Sequence, residues 1–210
     1  MNSTSILDTT FSTALEQHLQ VITELTKSFP LLKEVAREMY ISLCNGGKVL
    51  WCGNGGSAGD SQHLAAELVG RFRRERRGMA SIALTTDSSL LTAIGNDYGF
   101  ECIFSRQIEA LCGPRDVVVG ISTSGNSPNV CSALVKAREL GAYTFAMTGA
   151  SGGKVIDLAD ACLRIQSTDT ARIQEAHILA GHMLCAAIED ALCSDTAREQ
   201  QKGSASEFRD

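Results

Sequence analysis

The chain has 210 residues, with 19 Lys plus Arg against 24 Asp plus Glu and a net charge of −5 at pH 7. Hydrophobic residues at 44% and charged residues at 20% are the balance of a packed chain of one large or two small domains, which excludes a disordered or linker-rich protein and argues against bulk nucleic-acid binding. Eight cysteines without a Cys-x-x-Cys, a first Lys or Arg only at Lys27, and no apolar run near the ~18 residues of a membrane span point to a reducing cytoplasm, free thiols and no membrane partner.

In residues 1–47, Phe11, Leu15, Leu19, Ile22, Leu25 and Phe29 recur at steps of three or four, one apolar stripe on a helix. Leu32, Val35, Met39 and Leu43 repeat the pattern after Pro30, and Asn45-Gly46-Gly47 supplies a left-handed stop. Such a stripe either covers the chain's own sheet or pairs with a partner's helix, and the pattern alone does not choose.

At Lys48 the rhythm changes. Short apolar runs at 49–52, 81–84, 117–121, 143–147 and 162–165 alternate with helical stretches, clearest at 128–140 and 171–193. This predicts an α/β fold: a doubly wound, five-stranded parallel sheet flanked by helices over 48–196, behind an N-terminal helical extension at 1–47. Residues 197–210 are polar and are expected to form a tail on what is one structural domain.

Two strand-to-helix loops stand out. Gly53-Asn54-Gly55-Gly56-Ser57-Ala58 follows the first strand, and Ser122-Thr123-Ser124-Gly125-Asn126-Ser127 follows the third. Both place backbone N–H groups and small hydroxyls at a helix N-terminus, where unpaired donors and the helix dipole favour an anion. The plain alternative makes Ser57 and Ser127 simple helix caps. Two such loops at one end of one sheet favour a site, and the hydroxyls of the second suggest a phosphate. Gly53-x-Gly55-x-x-Ala58 also fits a loose dinucleotide fingerprint, but the acidic residue expected about 20 positions on is missing.

His63 and Glu67 lie four apart, on one face of the helix after the first loop. With Gln174, His177 and His182 of the last long helix they offer either ligands for a divalent metal or an acid/base pair; the alternative is a surface carboxylate and hydrogen-bonded histidines. Gln174 and His182 stand ~12 Å apart along a helix and ~80° around it, so one site takes both only by long inward reach or with two subunits. The run 71–77 holds five arginines. It reads as a contact to nucleic-acid phosphates or, favoured by the overall acidity, as a solvated segment or subunit contact. Asn96-Asp97, placed between helical segments after the second strand, suits sugar hydroxyls.

Gly53-Asn54-Gly55-Gly56-Ser57, His63-x-x-x-Glu67, Gly95-Asn96-Asp97, Ser122-Thr123-Ser124-Gly125-Asn126-Ser127 and Arg172-Ile173-Gln174-Glu175-x-His177, in this order, resemble the sugar isomerase (SIS) domain family, and within it the bacterial phosphoheptose isomerases. The resemblance covers roughly residues 11–193 and implies a flavodoxin-like SIS fold. It further implies a homotetramer with active sites between subunits, and conversion of the ketose sedoheptulose 7-phosphate to the aldose D-glycero-D-manno-heptose 7-phosphate, the first step toward activated heptose for lipopolysaccharide or capsule. It implies one zinc per subunit on His63, Glu67, Gln174 and His182, with Glu67 and His182 as the catalytic pair. Substrate-binding positions by the same resemblance are Asn54, Gly55, Gly56, Glu67, Asn96, Asp97, Ser122, Thr123, Ser124, Ser127 and Gln174.

Ketose–aldose exchange moves a proton between C1 and C2 through an enediol, so it needs a carbon base and an acid for the neighbouring oxygen. Glu67 is expected as the base and His182 as its partner, the reverse assignment standing beside it. The rival within the superfamily is a non-catalytic tetramer that binds the bacterial replication initiator protein. It carries Thr in place of the second glycine of the first loop's Gly-Gly pair and lacks the acid and base. This chain has Gly56, Glu67 and His182, which favours the enzyme. A sugar-phosphate-sensing domain is a third option, weakened by the lack of a fused DNA-reading helix-turn-helix.

Overall fold

The computed structural model describes residues 3–206, with side chains over 6–194. Helix α1 (Ser3–Leu25) is followed by a 3-10 turn and by α2 (Phe29–Cys44), which has Pro30 in its first turn. Gly46, at φ +74, ends α2 in the left-handed region that glycine enters without a Cβ clash. Then come β1 (Val49–Gly53), α3 (Gly56–Val69), β2 (Ser81–Ala83), α4 (Ser88–Tyr98), α5 (Ser105–Leu111), β3 (Val117–Ile121), α6 (Pro128–Glu139), β4 (Tyr143–Thr148), α7 (Val155–Leu158), β5 (Ala161–Arg164) and α8 (Thr170–Ser206).

The five strands form one parallel sheet in the order β2-β1-β3-β4-β5. The chain order reverses between β1 and β3, which pair Val49 with Val117 through Gly53 with Ile121. Loops leaving β1 and β3 therefore diverge at the sheet's carboxyl edge, where a doubly wound fold holds its ligand.

Every residue of β1 and β3 is buried, as parallel strands covered on both faces require. Their side chains alternate between two cores. Val49, Trp51, Val117, Val119 and Ile121 join α2, α3 and α8 through Val35, Met39, Leu64, Leu68, Ala180 and Leu184. Leu50, Cys52 and Val118 join α5 and α6 through Ile108, Val130 and Leu134. Trp51 is fully buried and its indole N–H donates to Ser81 Oγ at 2.9 Å, so its one polar group is satisfied.

Three departures from the sequence reading have physical causes. Asn96 and Asp97 lie in the last turn of α4 rather than between helices, because Gly99 at φ +91 is the residue that stops it. Backbone helix continues in α8 to Ser206, through much of the stretch expected as a tail, while 207–210 lie outside the described residues. Residues 170–194 of α8 are long and apolar enough to cross a membrane by composition alone, but 44% of the most apolar window is buried, with Ile173, Ala176, Ala180, Leu184 and Ile188 in the core.

The stripe on α1 divides. Val21 and Leu25 are buried, whereas Phe11, Leu15 and Leu19 are 57–68% exposed. Polar contacts fasten the helix to α8: His18 Nδ1 lies 2.8 Å from Glu175 Oε2, and Arg172 donates to the carbonyl of Ala14.

Candidate active site

The first loop turns on Gly55, at φ +55, which is the N-cap of α3. Ser57 is not a cap; it lies inside the first turn, buried, and its carbonyl accepts the hydroxyl of Ser61 at 2.8 Å. Ser127 is the N-cap of α6, but its side chain makes no cap bond and lies 2.9 Å from Ser122 Oγ instead. Ser57 is thus no cap and Ser127 is one by backbone position alone, and the second loop keeps a cluster of hydroxyls, with Ser124 Oγ 3.5 Å from Ser122 Oγ.

Asn54 joins the two loops. Its amide donates to Asn129 Oδ1 at 2.9 Å, and Asn129 donates back to Asn54 Oδ1 at 2.8 Å. Asn129 also accepts the N–H of Val130 and is 1% exposed. Asn129 carries no sequence motif; its one signal is an amide in the first turn of an otherwise apolar-faced helix. The second loop is further tied to the strand ends, since Ser122 N–H donates to Met147 O and Gly149 N–H donates to Thr123 O. A Cβ on Gly125, at φ +67, would fall 2.0 Å from Gly152 O.

Helices α3 and α8 lie side by side, and their contacts pair residues in step. At the loop end, Gln174 packs on Gly56 so closely that a Cβ there would stand 2.2 Å from Gln174 Nε2. Two turns on, Gly181 meets Leu64, whose Cδ atoms would be 2.5 Å from a Cβ. This approach brings His182 over α3. His182 Nε2 lies 3.4 Å from His63 Nε2, which lies 3.1 Å from Glu67 Oε1. One ligand atom each from His63, Glu67 and His182 falls within a 4.8 Å group.

Two imidazoles and a carboxylate are a donor set that suits zinc and similar borderline cations, so these residues fit a metal. Gln174 stands beside Gly56 at the loop end, and Asn96 and Asp97 are exposed on α4, where the Asn96 amide donates to Asp97 Oδ1 at 2.8 Å. His177, offered by sequence as a ligand, is fully buried and faces the carbonyl of Thr148 at 3.3 Å. Its burial pushes the imidazole down to about 4, only partly opposed by that carbonyl. His182 is also held below the ordinary histidine value, first by burial and then by His63 and Arg73, against the pull of Glu67. Asp60, one turn before His63 on α3, is pushed up to about 6 by burial against the opposing His63, and its Oδ2 has no hydrogen-bond partner.

The 71–77 run, expected as a solvated segment or subunit contact, is solvated only in part. Arg71 and Arg74 are exposed, but Arg76 is folded inward against Glu189 of α8. Phe72 packs beside His182, with ring centroids 5.5 Å apart. Spacing alone does not tell which of five arginines turns in.

A family model described as SIS domain matches residues 11–149. The phosphoheptose isomerase of Rhodospirillum rubrum is 55% identical over 165 residues, 79% of this chain and 88% of that one. That of Aquifex aeolicus is 58% identical over 160 residues, 76% and 84% of the two chains. Among solved structures, phosphoheptose isomerase from Neisseria gonorrhoeae aligns with a TM-score of 0.83 at 44% identity, covering 88% of this chain and 99% of that one. The Francisella tularensis phosphoheptose isomerase gives 0.82 at 38% identity, over 90% and 100%.

Proposed function

From the premise that the chain belongs to the phosphoheptose isomerase family of SIS-domain proteins, we propose how its own residues carry out that isomerisation. The reaction is aldose–ketose isomerisation of sedoheptulose 7-phosphate to D-glycero-D-manno-heptose 7-phosphate, in activated-heptose biosynthesis. Relatives at 50–58% identity carry the isomerase name, which leaves the initiator-binding alternative without support. The observation that carries the mechanism is the meeting of His63, Glu67 and His182 across α3 and α8.

The phosphate is taken by the second loop, where Ser122, Thr123, Ser124 and Ser127 combine hydroxyls with the N-terminus of α6. Asn54, Gly55 and Gly56 border the reacting end, with Gln174 against them. Glu67 takes the proton from C1 of the ketose while His182 protonates the oxygen on C2, giving the enediol. Delivery of a proton to C2 and loss of the hydroxyl proton on C1 then give the aldose.

His63, Glu67 and His182 would hold zinc, one per subunit, and Gln174, which packs on Gly56 two turns away in its own chain, would join them as a fourth ligand only from another subunit; the metal would supply polarisation of the substrate oxygens. Metal ligation weakens Glu67 as a base, so its two roles compete. Homotetramer assembly, with active sites between subunits, is supported by the exposed Phe11, Leu15 and Leu19 on α1 and by Asn96 and Asp97, hydrogen-bonded to each other on an exposed face that a neighbouring subunit can reach. Eight free cysteines suit a cytoplasmic enzyme. Incubation of the purified protein with sedoheptulose 7-phosphate and zinc tests the reading: the aldose phosphate is expected, and its absence contradicts it.

A further inference from the structure

Glu189 on α8 is 1% exposed and collects four donors. Its Oε2 accepts the N–H of Arg73 at 2.8 Å and of Arg74 at 3.0 Å; its Oε1 accepts the N–H of Phe72 at 3.1 Å and Arg76 Nε at 3.0 Å. A buried carboxylate so supplied has its lone pairs satisfied, the condition under which a buried ion pair persists. Arg76, with a side chain 6% exposed, turns its other nitrogens on α3. Nη2 donates to the carbonyl of Glu67 at 2.9 Å, and Nη1 to those of Leu68 at 2.9 Å and Gly70 at 3.2 Å. Carbonyls in the last turn of a helix lack intrahelical partners, and a guanidinium there satisfies them and complements the dipole. Between these anchors sits Phe72, its ring 5.5 Å from the His182 ring and tilted by 30°. Arg73 lies 4.9 Å from the same phenyl ring.

We propose that Arg76 and Glu189 are positioning residues for the His63–Glu67–His182 cluster: the buried pair fixes the end of α3 that bears Glu67 and seats Phe72 against His182. The pair ties together the two helices whose side chains must meet, from the side away from the anion loops. Proton transfer is sensitive to displacements of about 1 Å, at a cost of about 100-fold in rate. Loss of the pin therefore lowers turnover and loosens the metal ligands, and leaves substrate affinity, set by the loops at the other end of α3, nearly alone. A pair that only scaffolds the fold would lower thermal stability and spare kcat of the folded protein.

The proposal rests on the isomerase reading for its kinetic arm alone. Arg76→Lys keeps the charge but loses the fork that reaches four carbonyls, that of Arg77 among them, and Glu189 together. Phe72→Leu keeps the ion pair and removes the ring. Both are made in the full chain and measured for kcat and KM with sedoheptulose 7-phosphate, and for zinc affinity by chelator competition. The expected result is a kcat lowered at least tenfold with KM within about threefold, and zinc affinity lowered about 10- to 100-fold, as for groups that orient metal ligands. Wild-type kcat and zinc affinity in Phe72→Leu, or a raised KM with unchanged kcat in either variant, overturn it. If Arg76→Lys does not fold, Phe72→Leu decides. If the wild type binds zinc without turnover, the isomerase reading fails and zinc affinity alone decides the pin. If the wild type does neither, both fall.

Discussion

Nε2 of His182 lies 3.4 Å from Nε2 of His63, across 119 residues of sequence. Two rings that close either share an N–H···N hydrogen bond, the tautomer deciding the donor, or turn both lone pairs on one cation, for which Glu67 beside them supplies the third ligand. Substitution His63→Ala removes one of three converging ligands. Metal analysis of the purified protein is expected to find about one zinc per chain in the wild type, and a loss of affinity in the variant exceeding the roughly 10- to 100-fold known for outer-shell partners. Equal zinc content in both would remove His63 from the site.

Gly56 has no Cβ, and Gln174 occupies the space where one would be. Gly56→Ala sends the end of the Gln174 side chain elsewhere while leaving the backbone of α3 with a residue it favours. Turnover is expected to fall by about 100-fold, the cost of a misplaced group, with the melting temperature changed little. A variant with full turnover would show that Gln174 does not act from that position.

Gly181 serves the packing of α3 on α8. A Cβ there stands 2.5 Å from both methyls of Leu64, itself fully buried. Overpacking of this kind costs about 1–3 kcal/mol, against about 1 kcal/mol returned by the better helix propensity of alanine. Gly181→Ala is expected to lower stability in urea unfolding and to lower activity as His182 moves from His63. Leu64→Ala alone opens a cavity and costs about 2–5 kcal/mol; a double variant less unstable than the sum would show that the two positions share one space.

His177 gives a pH signature. Its native imidazole is held down to about 4, against an ordinary 6.5. Below pH 6.5 the unfolded chain takes up a proton that the native chain refuses until about pH 4. The stability conferred by this neutral histidine is therefore complete above pH 6.5, declines as pH falls, and is gone near pH 4, by about 3 kcal/mol in all. Urea midpoints of the wild type and His177→Gln measured from pH 7 to 4 are expected to differ in slope across that window. Parallel curves would contradict the burial argument.

Much of the fold was legible because a buried parallel strand writes an unbroken apolar run, as at 117–121, and because Asn45-Gly46-Gly47 and Pro30 punctuate the helices. The loops stand out as candidate anion sites because glycine and hydroxyl residues follow two strands. What stayed hidden depends on facing. One buried arginine in a run of five, an Asn129 that clasps Asn54, and the outward turn of Phe11, Leu15 and Leu19 are decided by tertiary packing. The His63–Glu67 pair shows itself through its helical spacing, whereas His182, offered by the sequence beside Gln174 and His177, is singled out from them by the close approach that Gly181 allows.

Assignment of the carbon base is tested most directly by turnover of sedoheptulose 7-phosphate in wild type, Glu67→Gln and His182→Gln at saturating zinc. The wild type is expected to form the aldose phosphate, while each variant, folded and still able to bind substrate, loses at least about 100-fold in kcat, the scale of general acid–base catalysis. A Glu67→Gln variant with wild-type kcat would contradict the assignment of Glu67 as the group that takes the proton from carbon.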